Sequence, residues 1–261
     1  LEKCISSMSE PMLSHDNIGF YLLSQEVVKH VKVVLSGQGA DELFAGYHWF
    51  QGLPSHTASA EQSARLILNK IADRSYAEYQ SLINIDYHTD DLAPAYLTNL
   101  CKENASFLPV DNLLLYESTM ALANGPLCRV DNMTMSAGLE ARVPFLDEQV
   151  IDVSSALPLQ YKLQENGKYI LKKIGEKLLP NAVVHRPKGY FPVPALTHLE
   201  GSVLALIQDT LSSQRSSQRG IFNPDYIQLL LNEPTKHLTP AGASKLWQVG
   251  LLEYWLQQLN V

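Results

Sequence analysis

The sequence predicts an α/β protein to which this chain contributes many helices and few strands. Three observations predict it. A short β-branched stretch, Val31 to Leu35, runs into a loop containing glycines. Apolar residues at helical spacing then recur along most of the remaining chain. After Leu35 hardly another strong strand candidate occurs, although a parallel sheet needs more strands than one. That shortage, with Leu1 rather than Met at the start, gives the expectation of a fragment whose N-terminal part is missing.

The elements follow in order. Ser9-Glu10-Pro11 and Ser14-His15-Asp16-Asn17 are turn and cap residues. Phe20, Leu22, Leu23, Val27 and Val28 predict a helix over 18–30. Val31, Val33, Val34 and Leu35 are too apolar and too few for an amphipathic helix and predict a strand buried on both faces. Residues 52–60 read as a loop, and 62–84 as helix broken around Asp73-Arg74-Ser75. With Pro94 and mixed polarity, 84–104 reads as loops and short helices. A helix is predicted over 111–127, kinked at Asn124-Gly125-Pro126, and a polar one over 131–136. A basic helix spans 167–179 and ends at Pro180; 210–219 is weakly periodic and loop-like. Helices over 225–231 and 243–259 complete the chain, the last turning Leu246, Trp247, Leu251, Leu252, Trp255 and Leu256 to the core.

Composition narrows the function. The chain of 261 residues carries a formal net charge of −7, which gives no general attraction to nucleic acid or to an anionic membrane. No apolar run is long enough to span a bilayer, and no signal peptide is recognisable. Cys4, Cys101 and Cys128 are sparse and lack metal-ligand spacing, which predicts free thiols in a reducing cytoplasm.

The chemistry concentrates in the run Ser36-Gly37-Gln38-Gly39-Ala40-Asp41-Glu42. Gly37 and Gly39 can reach positive φ and let the backbone approach a ligand. The amides around them can converge on an anion. Asp41 and Glu42 repel a bare phosphate, and a divalent cation such as Mg²⁺ resolves the conflict by bridging carboxylate and phosphate oxygens. A metal–phosphate pocket at a strand's C-terminal end competes here with a tight turn capped by a solvated Asp41. The whole run favours the pocket.

Two further segments add charge. Arg129, Asp131, Glu140 and Arg142 lie among small and apolar residues and read as partly buried, mutually paired ions, with Asp131 best suited to face a polar substrate. For Glu140 and Arg142 a structural ion network is as good a reading as a ligand role. Gly167-Lys168-Tyr169 precedes Arg186-Pro187-Lys188-Gly189. Cations converging on a pocket that holds carboxylates suit a polyphosphate transition state. Lys172, Lys173 and Lys177 read as solvated surface.

Together, Ser36 to Tyr47, Arg129-x-Asp131 with Gly138 to Asp147, and Gly167 to Leu171 with Arg186 to Phe191 resemble the synthetase domain of the glutamine-hydrolysing asparagine synthetase family. The resemblance runs in order from Glu10-Pro11 to the Trp247–Trp255 helix. It implies the C-terminal portion of an adenine nucleotide alpha hydrolase-like domain with a parallel sheet, and an ATP-dependent, AMP-forming amide ligase. A carboxylate acceptor would be adenylylated, and ammonia from a separate glutaminase domain would attack it. Asp41 would hold Mg²⁺ at the pyrophosphate. Lys188 would stabilise negative charge, Gln38 would contact the intermediate, and Ser36, Gly37 and Gly39 would line the nucleotide pocket. Lys168 joins the ATP site, and Asp131 and Glu42 the acceptor site. A homodimer is compatible with the resemblance.

Two departures carry meaning. The family's Ser-Gly-Gly-x-Asp-Ser pyrophosphate loop and its glutaminase domain are absent from this chain, which alone would hold about half of an active site. Position 38 is Gln where the family often has an acid, and an amide cannot act as a base. With Tyr47-His48-Trp49, the loop looks most like relatives that amidate N-acetylglutaminylglutamine. Aspartate is the rival acceptor. A non-catalytic domain that keeps the fold for regulation or assembly is the rival of another class.

Overall fold

The computed structural model describes residues 1–14, 16–187, 198–240 and 242–259. Among them two strands form one parallel sheet, β1 (Val33–Leu35) and β2 (Glu140–Arg142). Val33 lies opposite Glu140, Val34 opposite Ala141 and Leu35 opposite Arg142. The ladder extends beyond both ends, through Glu140 N–H to Lys32 O (2.9 Å) and Ser36 N–H to Arg142 O (2.8 Å). The rest is mostly helical.

The strand is not buried on both faces, as its sequence suggests. Val33 and Leu35 are 40% and 71% exposed. Alternation puts them on one face of the sheet with Glu140 and Arg142, while Val34 and Ala141 turn to the interior. Among the described residues nothing covers that outer face. β2 escapes notice in the sequence because Glu-Ala-Arg has no strand propensity; backbone pairing to β1 makes it a strand.

The helices before the sheet are α1 (Glu2–Ser6) and α2 (Asp16–Val27), and α3 (Ala40–Leu43) leaves the loop after β1. Then come α4 (Ala60–Ile71), α5 (Tyr76–Leu82), α6 (Leu92–Glu103) and α7 (Pro109–Tyr116). The break between α4 and α5 falls at Asp73-Arg74-Ser75 as expected, because the Ser75 side chain caps α5 by accepting from Glu78 N–H. The twelve-residue α6 replaces the expected loops and short helices. Pro94 sits in its first turn, where a missing N–H costs nothing.

α7 continues through two π-helical turns, Glu117–Ala121 and Ala123–Leu127, into α8 (Cys128–Met135). The expected kink at Pro126 is thus taken up by wider turns, a form frequent at functional sites. After β2 follow α9 (Glu148–Ala156), α10 (Gln160–Leu163), α11 (Tyr169–Gly175) and α12 (Asn181–Val184). The C-terminal part holds α13 (Gly201–Leu211), α14 (Gln214–Arg219), α15 (Pro224–Asn232) and α16 (Lys245–Gln258). The segment 210–219 is therefore helical rather than loop-like. Ser213 caps α14 by accepting from Ser216 N–H, and Gly220 ends it in a left-handed conformation.

Two apolar cores hold these elements. One gathers Ile5, Met133, Ile207, Leu230, Trp247 and Leu251, joining both ends of the chain. Two indole N–H groups pin the N-terminal segment to α16: Trp247 donates to Leu13 O (3.2 Å) and Trp255 to Met8 O (3.1 Å). The other core packs Ile67, Leu97 and Leu113 from α4, α6 and α7 against Ala45 and Phe50 of the segment that follows α3. The loop after β1 is thereby tied to both the sheet and the second core. No helix is long and apolar enough to cross a membrane among the described residues. Cys4, Cys101 and Cys128 are free thiols.

Candidate functional site

β1 delivers the chain into the Ser36–Glu42 run, and Phe145–Leu146 from the second segment and Gly167–Lys168 from the third meet it there. Gly39 caps α3 with φ of 90°, so the turn needs glycine. Space demands it as well, since an added Cβ would fall 2.9 Å from Leu146 Cγ. Gly37 adopts no positive φ and has open space around it, so the freedom read into its sequence is used at Gly39 alone. Leu146 and Phe145 from the second motif, and Ser154 from α9, buttress the loop and α3. Phe145 meets Phe44 edge-on at 6.3 Å, and the Ser154 hydroxyl donates to Leu43 O (2.8 Å).

The third motif closes the other side. Lys168 N–H donates to Phe44 O (2.8 Å), and its ammonium lies 3.0 Å from Asp41 Oδ1. Gly167 backs directly onto Ala45 and Gly46. Both Lys168 and Asp41 keep part of their surface in solvent. A carboxylate and an ammonium thus stand together at the open end of the loop, the charge pair a metal-bound polyphosphate would meet.

Glu42 turns the other way. It is 1% exposed, and the Tyr47 hydroxyl donates to its Oε1 at 2.6 Å. Its carboxylate faces the interior rather than the loop opening. Burial, then the charge and hydrogen bond of Glu42, raise the Tyr47 phenol pKa, so the hydroxyl stays a donor. Tyr47 stacks on Trp49 with ring centres 4.3 Å apart, and Trp49 Nε1 donates to Glu117 Oε1 (2.8 Å). Glu117 is 5% exposed, and burial pushes its carboxyl up to about 7 despite the indole hydrogen bond.

The sequence offered no motif for Glu117. Its one signal is isolation: it is the single charged residue between Asp111 and Arg129.

Other expected residues fall as follows. Ser36 and Gln38 are half-buried along the loop, and Gly37 is exposed. Asp131 lies exposed on α8, which packs against β2. Arg129, Asp131, Glu140 and Arg142 do not form one buried network. Arg129 pairs with Asp16 (3.1 Å), and Arg142 pairs with Glu140 (2.8 Å) in solvent, because residues two apart on a strand share a face. Arg186 is exposed, and Lys188 lies outside the described residues. Elsewhere, Glu165, Glu176 and His185 bring ligand atoms within 4.8 Å of one another. Lys173 already bridges those two glutamates, at 3.1 and 2.8 Å, and compensates their charge.

A strand, a glycine turn and an acidic helix start, faced by a lysine and buttressed by two distant segments, thus come together beside a small parallel sheet in a mostly helical protein. Residues 1–257 match the family described as Asparagine synthase, and the chain belongs to that family. It is 27% identical to asparagine synthetase [glutamine-hydrolyzing] 1 of Bacillus subtilis, over 98% of this chain and 45% of the relative. A putative asparagine synthetase [glutamine-hydrolyzing] of Mycobacterium tuberculosis is 30% identical over 84% of this chain and 38% of its own length. The asparagine synthetase [glutamine-hydrolyzing] of Gallus gallus is 28% identical over 80% of this chain and 30% of its own. The chain spans less than half the length of these relatives.

Proposed function

We propose that this chain is the C-terminal portion of the synthetase domain of an ATP-dependent, AMP-forming amide ligase, built on an adenine nucleotide alpha hydrolase-like sheet. The observation that carries this reading is the convergence of Asp41 and Lys168, from separate motifs, at the open end of the Gly39 turn. A carboxylate oxygen of the acceptor attacks the α-phosphorus of ATP, and the bond to pyrophosphate breaks. Ammonia from a glutaminase domain then attacks the acyl carbon. AMP leaves with the bonding electrons, and the nitrogen loses a proton to give the neutral amide.

In this reading Ser36, Gly37 and Gly39 line the nucleotide, and Lys168 meets the polyphosphate. Gln38 and Lys188 act on the reacting intermediate, and Asp131 meets the acceptor. Asp41 would hold Mg²⁺, which would neutralise pyrophosphate charge. The donor set fits: one partly exposed carboxylate at a helix start, with phosphate oxygens and water left to fill the sphere. Glu42, buried against Tyr47, supports the loop from beneath. The acceptor is aspartate or an N-acetylglutaminylglutamine-type dipeptide.

The test is AMP and pyrophosphate release by the full-length protein with Mg-ATP and ammonia, each acceptor offered separately. Release with one acceptor is expected. Silence with both would overturn the reading.

A further inference from the structure

Glu117 sits beneath the loop and is used by none of the steps above. A buried carboxylate is costly, and an apolar residue of similar size would serve packing better. Glu117 accepts a hydrogen bond from the indole of Trp49, 68 residues away in sequence. From Trp49 the contacts lead by stacking to Tyr47, and from the Tyr47 hydroxyl to Glu42 Oε1. Glu42 is the neighbour of Asp41 on α3. The helical turn that begins at Glu117 is a π-turn, and α3 packs against it.

From this chain of contacts we propose that Glu117 is a positioning residue for the proposed reaction, fixing the Asp41 carboxylate through Trp49, Tyr47 and Glu42. The inference rests on the functional reading given above for the chemistry it serves, although the contacts themselves do not depend on it. Two rigid aromatic rings link the two buried acids, so a displacement of Glu117 reaches α3 with little slack. Two of the four side chains, Trp49 and Tyr47, have few rotatable bonds. Burial, and to a lesser degree the charge of Glu42, push the Glu117 carboxyl up.

The role separates from plain packing because Gln can still accept from the Trp49 indole, whereas Ala cannot. In the full-length protein, Glu117→Ala should lower kcat about 10- to 100-fold, the size of effect expected when a catalytic group shifts by about 1 Å. KM for ATP should stay within about threefold, because the nucleotide-lining backbone of Ser36 to Gly39 is held separately by β2 and Leu146. Glu117→Gln should recover most of the lost kcat. Trp49→Phe, which removes the donor and keeps the acid, should reproduce the alanine loss and carries the test if Glu117→Ala fails to fold.

Hydrogen exchange supplies a readout independent of turnover. Amides of residues 40–46 should exchange faster in Glu117→Ala and Trp49→Phe than in Glu117→Gln. Loosening of these amides in a protein that forms no AMP would uphold the positioning and sink the functional reading. Alanine and phenylalanine variants with kcat within twofold of the parent, or a glutamine variant as impaired as the alanine one, would overturn the proposal.

Discussion

Replacing Gly167 by alanine should be among the most damaging single-methyl changes in the protein. Gly167 has φ of 94° and ψ of 166°, a region open essentially to glycine alone. Forcing alanine there costs about 1–3 kcal/mol of backbone strain. The new methyl would also fall 2.9 Å from the Ala45 carbonyl carbon and 3.1 Å from Gly46 Cα, and closer still to the Ala45 oxygen. All three atoms are backbone, so no side chain can swing aside. Overpacking of this kind adds about 1–3 kcal/mol. Ala45 is itself held at a positive φ of 54°, which leaves it little freedom to retreat. The expected loss is about 2–6 kcal/mol, a large share of a typical domain's 5–15. Urea unfolding followed by circular dichroism measures it. Gly138→Ala is the control, since Gly138 also has positive φ (69°) but no neighbour within 4 Å of an added methyl. It should lose only about 1–2 kcal/mol. A Gly167→Ala loss within about 0.5 kcal/mol of the control would show that the contact with Ala45 relaxes freely, and the argument that the third motif clamps the loop would fail with it.

Three further outcomes follow from the same site. Tyr47→Phe strips Glu42 of its hydroxyl donor while leaving the acid buried, and should destabilise by about 1–3 kcal/mol in the same assay; a loss near zero would mean that Glu42 has a second, equal partner. Glu117 is raised to about 7 in the folded protein, so its stabilising contribution is fully present below about pH 4.5, is lost as pH rises towards 7, and amounts to about 3 kcal/mol. The stability difference between the parent and Glu117→Gln should therefore move in the glutamine variant's favour between pH 5 and pH 8, and a pH-independent difference would contradict the buried, proton-holding carboxyl. Asp41→Asn breaks a partly exposed ion pair and should cost under about 1 kcal/mol of stability, yet reduce AMP release more than 100-fold; retained turnover would remove Asp41 from the chemistry.

Much of the fold was legible because local physics decided it. The helix break at Asp73-Arg74-Ser75 is a capping event written in the residues, and α16 buries the expected Leu246, Trp247 and Leu251, though it also buries Gln248, Val249, Gly250 and Glu253 between and beside them. What stayed hidden was set by partners far along the chain. β2 is a strand because Lys32 to Ser36 offer it backbone groups, which nothing in Glu-Ala-Arg announces. The exposure of Val33 and Leu35 is likewise a property of the sheet's neighbours, whereas a β-branched run reads the same whether or not its faces are covered. At the site, the structure brings Asp41 and Lys168 of the first and third motifs together. The motifs could not indicate Glu117, whose place depends on a contact with Trp49 spanning 68 residues.

The adjacent acids of the loop show how far a motif can be trusted. In sequence Asp41 and Glu42 look like a pair of ligands for one ion. On a helix, however, successive residues point about 100° apart, so one turn of α3 cannot aim both at the same atom. The structure divides them accordingly. Asp41 looks outward to Lys168 and solvent, where a cation or phosphate can reach it. Glu42 looks inward to Tyr47, where neither can. The inward acid is held at an energetic cost that its hydrogen bond from Tyr47 offsets, and that bond anchors the helix start carrying the outward one. The pair is thus one chemical group and its support, and the support continues through Tyr47 and Trp49 to a second buried acid on the π-turn.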